Sequence, residues 1–174
     1  MEQIKWFERT FDFSSTQNTF PSLLERLSGT PIRLEEKLSR IDSGILALRI
    51  GDHWTIKEHI GHLADLEPLW QGRLQDIRDG KAEMRPGDLQ NTKTHQAGHD
   101  RFPLDVQLRH FREARNLTLK LLEDFTEDLV FKSALHPRLK TPMRTIDMCL
   151  FIAEHDDHHL ASITELNRQL LHLQ

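Results

Sequence analysis

This 174-residue chain has one cysteine, no long apolar run, no surplus of positive charge and no stretch of alternating β-branched residues. Each absence closes off a class of protein. A lone Cys149 can make neither an internal disulfide nor a Cys-x-x-Cys site, and it suits the reducing cytoplasm. Its apolar neighbours on a helical stretch mark it as a small core residue rather than a nucleophile. No apolar segment approaches the roughly 18 residues of a membrane span, and the charged N-terminal segment lacks a signal-peptide core, so no membrane association is expected. A formal net charge of −4 leaves no electrostatic footprint for a phosphate backbone, which argues against a nucleic-acid partner. Without period-two alternation no half-buried strand is expected, and the chain reads as all-α.

The remaining composition is that of an ordinary soluble protein, with 37% hydrophobic and 29% charged residues, and the length suits one domain over residues 1–174. Residues 1–20 form an aromatic arm holding Trp6, Phe7, Phe11, Phe13 and Phe20, expected to pack on the body or on a second copy in a homodimer. Pro21 opens a helical run, and Thr30-Pro31 resembles a second helix start, which predicts one kinked or two-part helix. Thr55 with Glu58 makes a capping box for a helix running to about Arg78, with Pro68 expected to kink it near residues 64–68. Residues 80–101 read as a long polar loop of the kind that covers sites. Pro103 opens a third long helix to Phe125, and a fourth runs from about Arg144 to Leu171 after a connection broken by Pro137 and Pro142. Four long helical units predict a four-helix bundle.

The eleven histidines matter only where spacing groups them. In the last helix, Ile152, His155, His159, Ile163, Leu166 and Leu170 share one face at the helical period. Two imidazoles one turn apart on a buried stripe need partners for their nitrogens, and the i, i+4 spacing can chelate one metal ion. A third ligand is available on the second helix from His59 or His62, and periodicity alone favours His59, nearer the middle of the stripe. His158 projects about 100° from His159 and belongs to the polar face or beside the ligands. His95 and His99 repeat the His-x-x-x-His spacing, but Gly98 and the polar surroundings put them in a loop, at most as part of a lid. Asp65, Glu58 and Asp156 are carboxylates that could act as a base, each equally well read as a solvated helix residue, and none is assigned the role.

Trp54-Thr55-Ile56-Lys57-Glu58-His59-Ile60-Gly61-His62-Leu63 resembles the second-helix signature of the DinB/YfiT-like superfamily: a tryptophan, Ser/Thr, a glutamate, then His-Leu. His155-Asp156-Asp157-His158-His159-Leu160 is similar to that family's His-x-x-x-His in its last helix. Leu24-Glu25-Arg26-Leu27 and Gly29-Thr30-Pro31 extend the likeness, so it covers most of the chain from about residue 20. The resemblance implies a metal-binding bundle in which His62, rather than His59, joins His155 and His159 around one divalent metal.

Three neutral imidazoles without a thiolate or carboxylate leave coordination positions open to water or substrate. Such a site suits Zn²⁺, Ni²⁺, Fe²⁺ or Mn²⁺. Two chemistries follow for a small-molecule substrate: hydrolysis by an activated water, or transfer of a low-molecular-weight thiol bound as thiolate. The resemblance implies the same two, a thiol-dependent S-transferase or a metal-dependent hydrolase. A non-enzymatic metal-binding bundle of a stress response is the alternative.

Overall fold

The computed structural model describes residues 3–172. In chain order the elements are α1 (Phe20–Leu38), α2 (Ile56–Arg78), a short α3 (Thr92–Ala97), α4 (Leu104–Glu123), a short α5 (Glu127–Phe131), strands β1 (Ser133–Leu135) and β2 (Pro142–Arg144), and α6 (Thr145–His172). The four long helices form the bundle. Helix α2 packs on α4 and α6, and α1 packs on the same two, so the order around the bundle is α1, α4, α2, α6. The successive long helices α1 and α2 are therefore diagonal, and α2 lies beside α6. That adjacency brings the two histidine-bearing helices together.

Local chemistry explains where α2 begins. Thr55 caps α2 by accepting from the Glu58 amide, and the Glu58 carboxylate accepts from the Thr55 amide, which completes the expected capping box. Pro68 does not end α2, which runs unbroken to Arg78. Helix α1 is also continuous, contrary to a second start at Thr30. The Thr30 hydroxyl instead faces two acceptors for its one proton, the Arg26 carbonyl at 3.1 Å within the helix and, closer, Asp156 at 2.8 Å across the bundle. Pro31 has no N–H to give the Leu27 carbonyl four residues back. That carbonyl accepts from Arg115 Nη1 on α4 at 3.0 Å, so the missing donor is replaced from outside the helix.

The two strands correct the expectation of no β-structure. They form an antiparallel pair with Ala134 opposite Met143, both buried. Each is three residues long, too short to show an alternation in sequence. Their turn carries His136, which is buried although no periodic pattern surrounds it.

The bundle interior contains a charged centre. Arg115, fully buried, bridges Glu67 on α2 (2.6 Å) and Asp156 on α6 (2.7 Å), and Thr118 donates to the other Glu67 oxygen. Asp156 is thus a structural ion-pair partner rather than a solvated carboxylate. Burial pushes the Glu67 pKa up, opposed by Arg115.

Residues from the aromatic arm return to α6. Trp6, Phe11 and Phe13 pack on the main core, Arg9 pairs with Glu154 at 2.5 Å, and the Gln3 amide bonds His158 at 2.8 Å. Cys149 is fully buried among apolar side chains and its thiol is pushed up to about 12 by that burial, which removes it from nucleophilic chemistry.

Candidate metal centre and its cavity

The α2–α6 interface places His62, His155 and His159 so that one ligand atom from each lies within 4.8 Å of the others. All three side chains are buried. Burial pushes His62 down to about 4 and holds His155 and His159 well below the ordinary imidazole value, so all three are neutral at pH 7. Neutral imidazoles present lone pairs, the form a metal ion requires.

The contacts around the three rings determine which nitrogens are free. Nδ1 of His62 lies 2.9 Å from the Thr94 hydroxyl, and that hydroxyl donates to Asp65 Oδ2 at 3.1 Å. Because the hydroxyl proton is used on Asp65, its oxygen accepts from His62 Nδ1–H, which leaves Nε2 of His62 bare. Nδ1 of His159 meets Nδ1 of His59 at 2.7 Å, and its Nε2 lies 3.1 Å from Nε2 of His155. His59 therefore touches the ligand candidates without being one of the three, and burial pushes it down to about 3. Nδ1 of His155 is buried with no hydrogen-bond partner. Its ring stands edge-on to Trp6 (4.9 Å between centroids) and to Trp70 (5.6 Å).

The segment read as a loop is more ordered than its composition implied. Thr94 lies on α3, and His99 is buried in a 3₁₀ turn just after it. His99 Nε2 bonds Asp65 Oδ2 at 2.8 Å, and Lys93 pairs with the other Asp65 oxygen at 3.1 Å. Asp65 is thus nearly enclosed and held below the usual carboxylate range by His99 and Lys93 against the opposing effect of burial. His99 supports the site from behind, and His95 is exposed, its ring edge-on to Trp54 at 5.8 Å. Glu58 is likewise committed, to the cap and to Arg49 at 2.6 Å. None of the three carboxylates singled out in the sequence is freely solvated.

The histidines form one end of a cavity of about 230 Å³. Leu66, Leu69, Trp70 and Phe151 supply its apolar wall, and Trp6 and Phe7 of the N-terminal arm close one side. His158 lies on the wall half-buried, its Nδ1 held by Gln3. At the far end are Arg73, His136 and Arg138, none of which the sequence pattern marked. Burial, with the like charge of Arg138, pushes Arg73 down to about 10.

The fold and this histidine cluster define a helical-bundle protein with a metal-type site. The DinB superfamily model matches residues 13–163, and the chain belongs to that superfamily. Among solved structures it is similar to YfiT from Bacillus subtilis, described as a probable metal-dependent hydrolase with an unusual four-helix bundle topology. The two share 21% identity over 94% of each chain, with a TM-score of 0.78. No curated protein is detectably similar in sequence.

Proposed function

We propose that the protein is a metal-dependent enzyme whose divalent ion is held by His62, His155 and His159 and whose substrate is a small molecule entering the adjoining cavity. The convergence of three buried, neutral imidazoles at the end of that cavity carries the reading. The residues fit such an ion on their own chemistry. The Asp65–Thr94 relay presents His62 Nε2, and His59 engages Nδ1 of His159, leaving Nε2 of His159 toward the cluster. The unpartnered Nδ1 of His155 marks a ring whose polar atoms are not satisfied by protein alone. A bound divalent ion would supply Lewis acidity, activating a water or holding a thiol as thiolate.

Of the two reactions, hydrolysis gains support from the likeness to YfiT, and thiol transfer requires an external thiol because Cys149 is buried and inert. The chain's own contribution is to orient the three rings, line the cavity with aromatic and aliphatic side chains, and keep bulk water limited.

Elemental analysis of purified protein, with His155→Ala as control, tests the site. About one equivalent of metal in the parent and little in the variant is expected; equal metal in both would sink the reading. Turnover of ester and electrophile panels with and without small thiols then separates hydrolase from transferase. Metal without turnover in either case would favour the non-enzymatic alternative.

A further inference from the structure

The far end of the cavity carries more hydrogen-bond donors than acceptors. Arg73 is buried on α2; its Nε donates to the Arg85 carbonyl at 3.1 Å and its Nη1 lies 3.0 Å from His136 Nε2. The backbone amides of Arg138 and Leu139 lie 3.2 and 3.1 Å from the other ring nitrogen, Nδ1. A neutral imidazole has one lone pair, yet this one meets donors at both nitrogens. Burial and the two guanidiniums hold His136 at about 3, so it does not contribute a further charge.

Neither arginine has a carboxylate partner among the described residues. Asp76, the acid nearest in sequence to Arg73, is already bound by Lys81 at 2.7 Å and Arg85 at 2.8 Å. Asp88 lies exposed at the cavity mouth and accepts from the amides of Gln90 (2.9 Å) and Thr92 (2.6 Å). The Arg138 guanidinium rests over the Phe7 ring at 5.2 Å, and its Nη2 is buried with no partner. Three side-chain atoms among the described residues are buried and unpartnered, and two of them, Arg138 Nη2 and His155 Nδ1, belong to residues at opposite ends of this one cavity.

Two like charges side by side, with unused donors and no carboxylate paired to either, are costly to bury unless a ligand supplies the acceptors. Guanidinium forks match the paired oxygens of carboxylate and phosphate. We propose that Arg73 and Arg138 form an oxyanion-binding subsite, so that the cavity takes a small molecule with a carboxylate or phosphate at one end and its reacting group at the histidines. The spacing along α2 gives the ligand its shape. His62, Leu66, Leu69 and Arg73 share the face toward the cavity, and the eleven residues from His62 to Arg73 rise by roughly 16 Å. An anionic head is therefore separated from the reacting group by an apolar middle lying along Leu66, Leu69 and Trp70. A cavity of about 230 Å³ limits the ligand to the size of a small metabolite.

The subsite stands on the arginines alone; only the identification of its ligand as the substrate rests on the metal-dependent reading above. Isothermal titration calorimetry at low ionic strength with hexanoate, hexyl phosphate and hexanol separates the two. Titrations are run on zinc-loaded and on chelator-stripped protein, for the parent, Arg138→Gln and Arg73→Met. Either anion is expected to bind at least about tenfold more tightly than hexanol in both metal states, with the preference falling at least about fivefold in Arg138→Gln at unchanged zinc content. The stronger of the two anions distinguishes carboxylate from phosphate. Equal affinity for anion and alcohol in the parent, no measurable binding of either anion, or a preference that survives both substitutions would overturn the subsite. A preference present in protein that takes up no zinc would leave the subsite standing and remove the metal centre.

Discussion

The carbonyl of Leu27 lies 3.0 Å from Nη1 of Arg115, in the place of the helical hydrogen bond that Pro31 cannot make. A proline that would ordinarily weaken α1 thereby helps dock α4 against it. Arg115 also pairs with Glu67 and Asp156, so one guanidinium ties together all four long helices. Replacing it by methionine keeps much of the volume but leaves two buried carboxylates with hydroxyl partners only and no counter-charge. Arg115→Met is expected to cost about 3–5 kcal/mol of unfolding free energy, measured by urea denaturation. A loss under about 1 kcal/mol would show that the carboxylates reach water or take up a proton without it.

His59 is the histidine that periodicity favours on α2; it touches His159, and under the proposed metal centre it stands beside the ligands rather than among them. Removing an imidazole that orients a ligand costs about 10–100-fold in metal affinity while leaving the ligand number unchanged. His59→Ala should therefore weaken zinc binding by that factor, read by competition with a chromophoric chelator, and His62→Ala should weaken it far more. Equal losses in the two variants would mean that the two histidines of α2 act alike.

The parts of this structure legible in the sequence are those governed by short-range chemistry. The Thr55–Glu58 cap, the buried stripe of α6 and the four long helices all follow from spacing within a few turns. The different surroundings of His59 and His62 are not of that kind. Both face α6, and what separates them is Thr94 and Asp65 on one side and the position of the His159 ring on the other. The three-residue strands escaped because they are held by pairing across a turn rather than by a pattern. Nothing within a turn of Arg73 or Arg138 marks either in the sequence, because what brings them together is the placement of the β1–β2 turn beside α2.

The metal-free protein should lose stability as the solution is acidified. His59 and His136 are held at about 3 and His62 at about 4, all by burial, against an ordinary value of 6.5. Below pH 6.5 the unfolded chain takes up protons that the folded chain refuses, so acid favours unfolding. The contribution is complete above about pH 6.5 and declines as the pH falls toward about 4, then toward about 3. Each such histidine adds a slope of at most about 1.4 kcal/mol per pH unit. Urea unfolding of chelator-treated protein from pH 7.5 to 4.5 checks this, and a flat or rising stability over that range would contradict it.

Two helical glycines should respond oppositely to the same substitution. At Gly29 an added Cβ meets nothing within 4 Å, so Gly29→Ala removes only backbone freedom from the unfolded chain. It should stabilise by about 0.5–1 kcal/mol. At Gly61 a Cβ would fall on the His99 ring, which packs directly over the α2 backbone. His99 cannot yield freely because its Nε2 is held by Asp65, the same carboxylate that accepts from Thr94 behind His62. Gly61→Ala should thus lower stability by about 1–3 kcal/mol, the usual cost of overpacking, and also weaken zinc binding through the disturbed His62 support. Thermal denaturation and chelator competition on the two variants give the result. If Gly61→Ala is as well tolerated as Gly29→Ala and binds zinc as the parent does, the buttress of His99, Asp65 and Thr94 does not position His62.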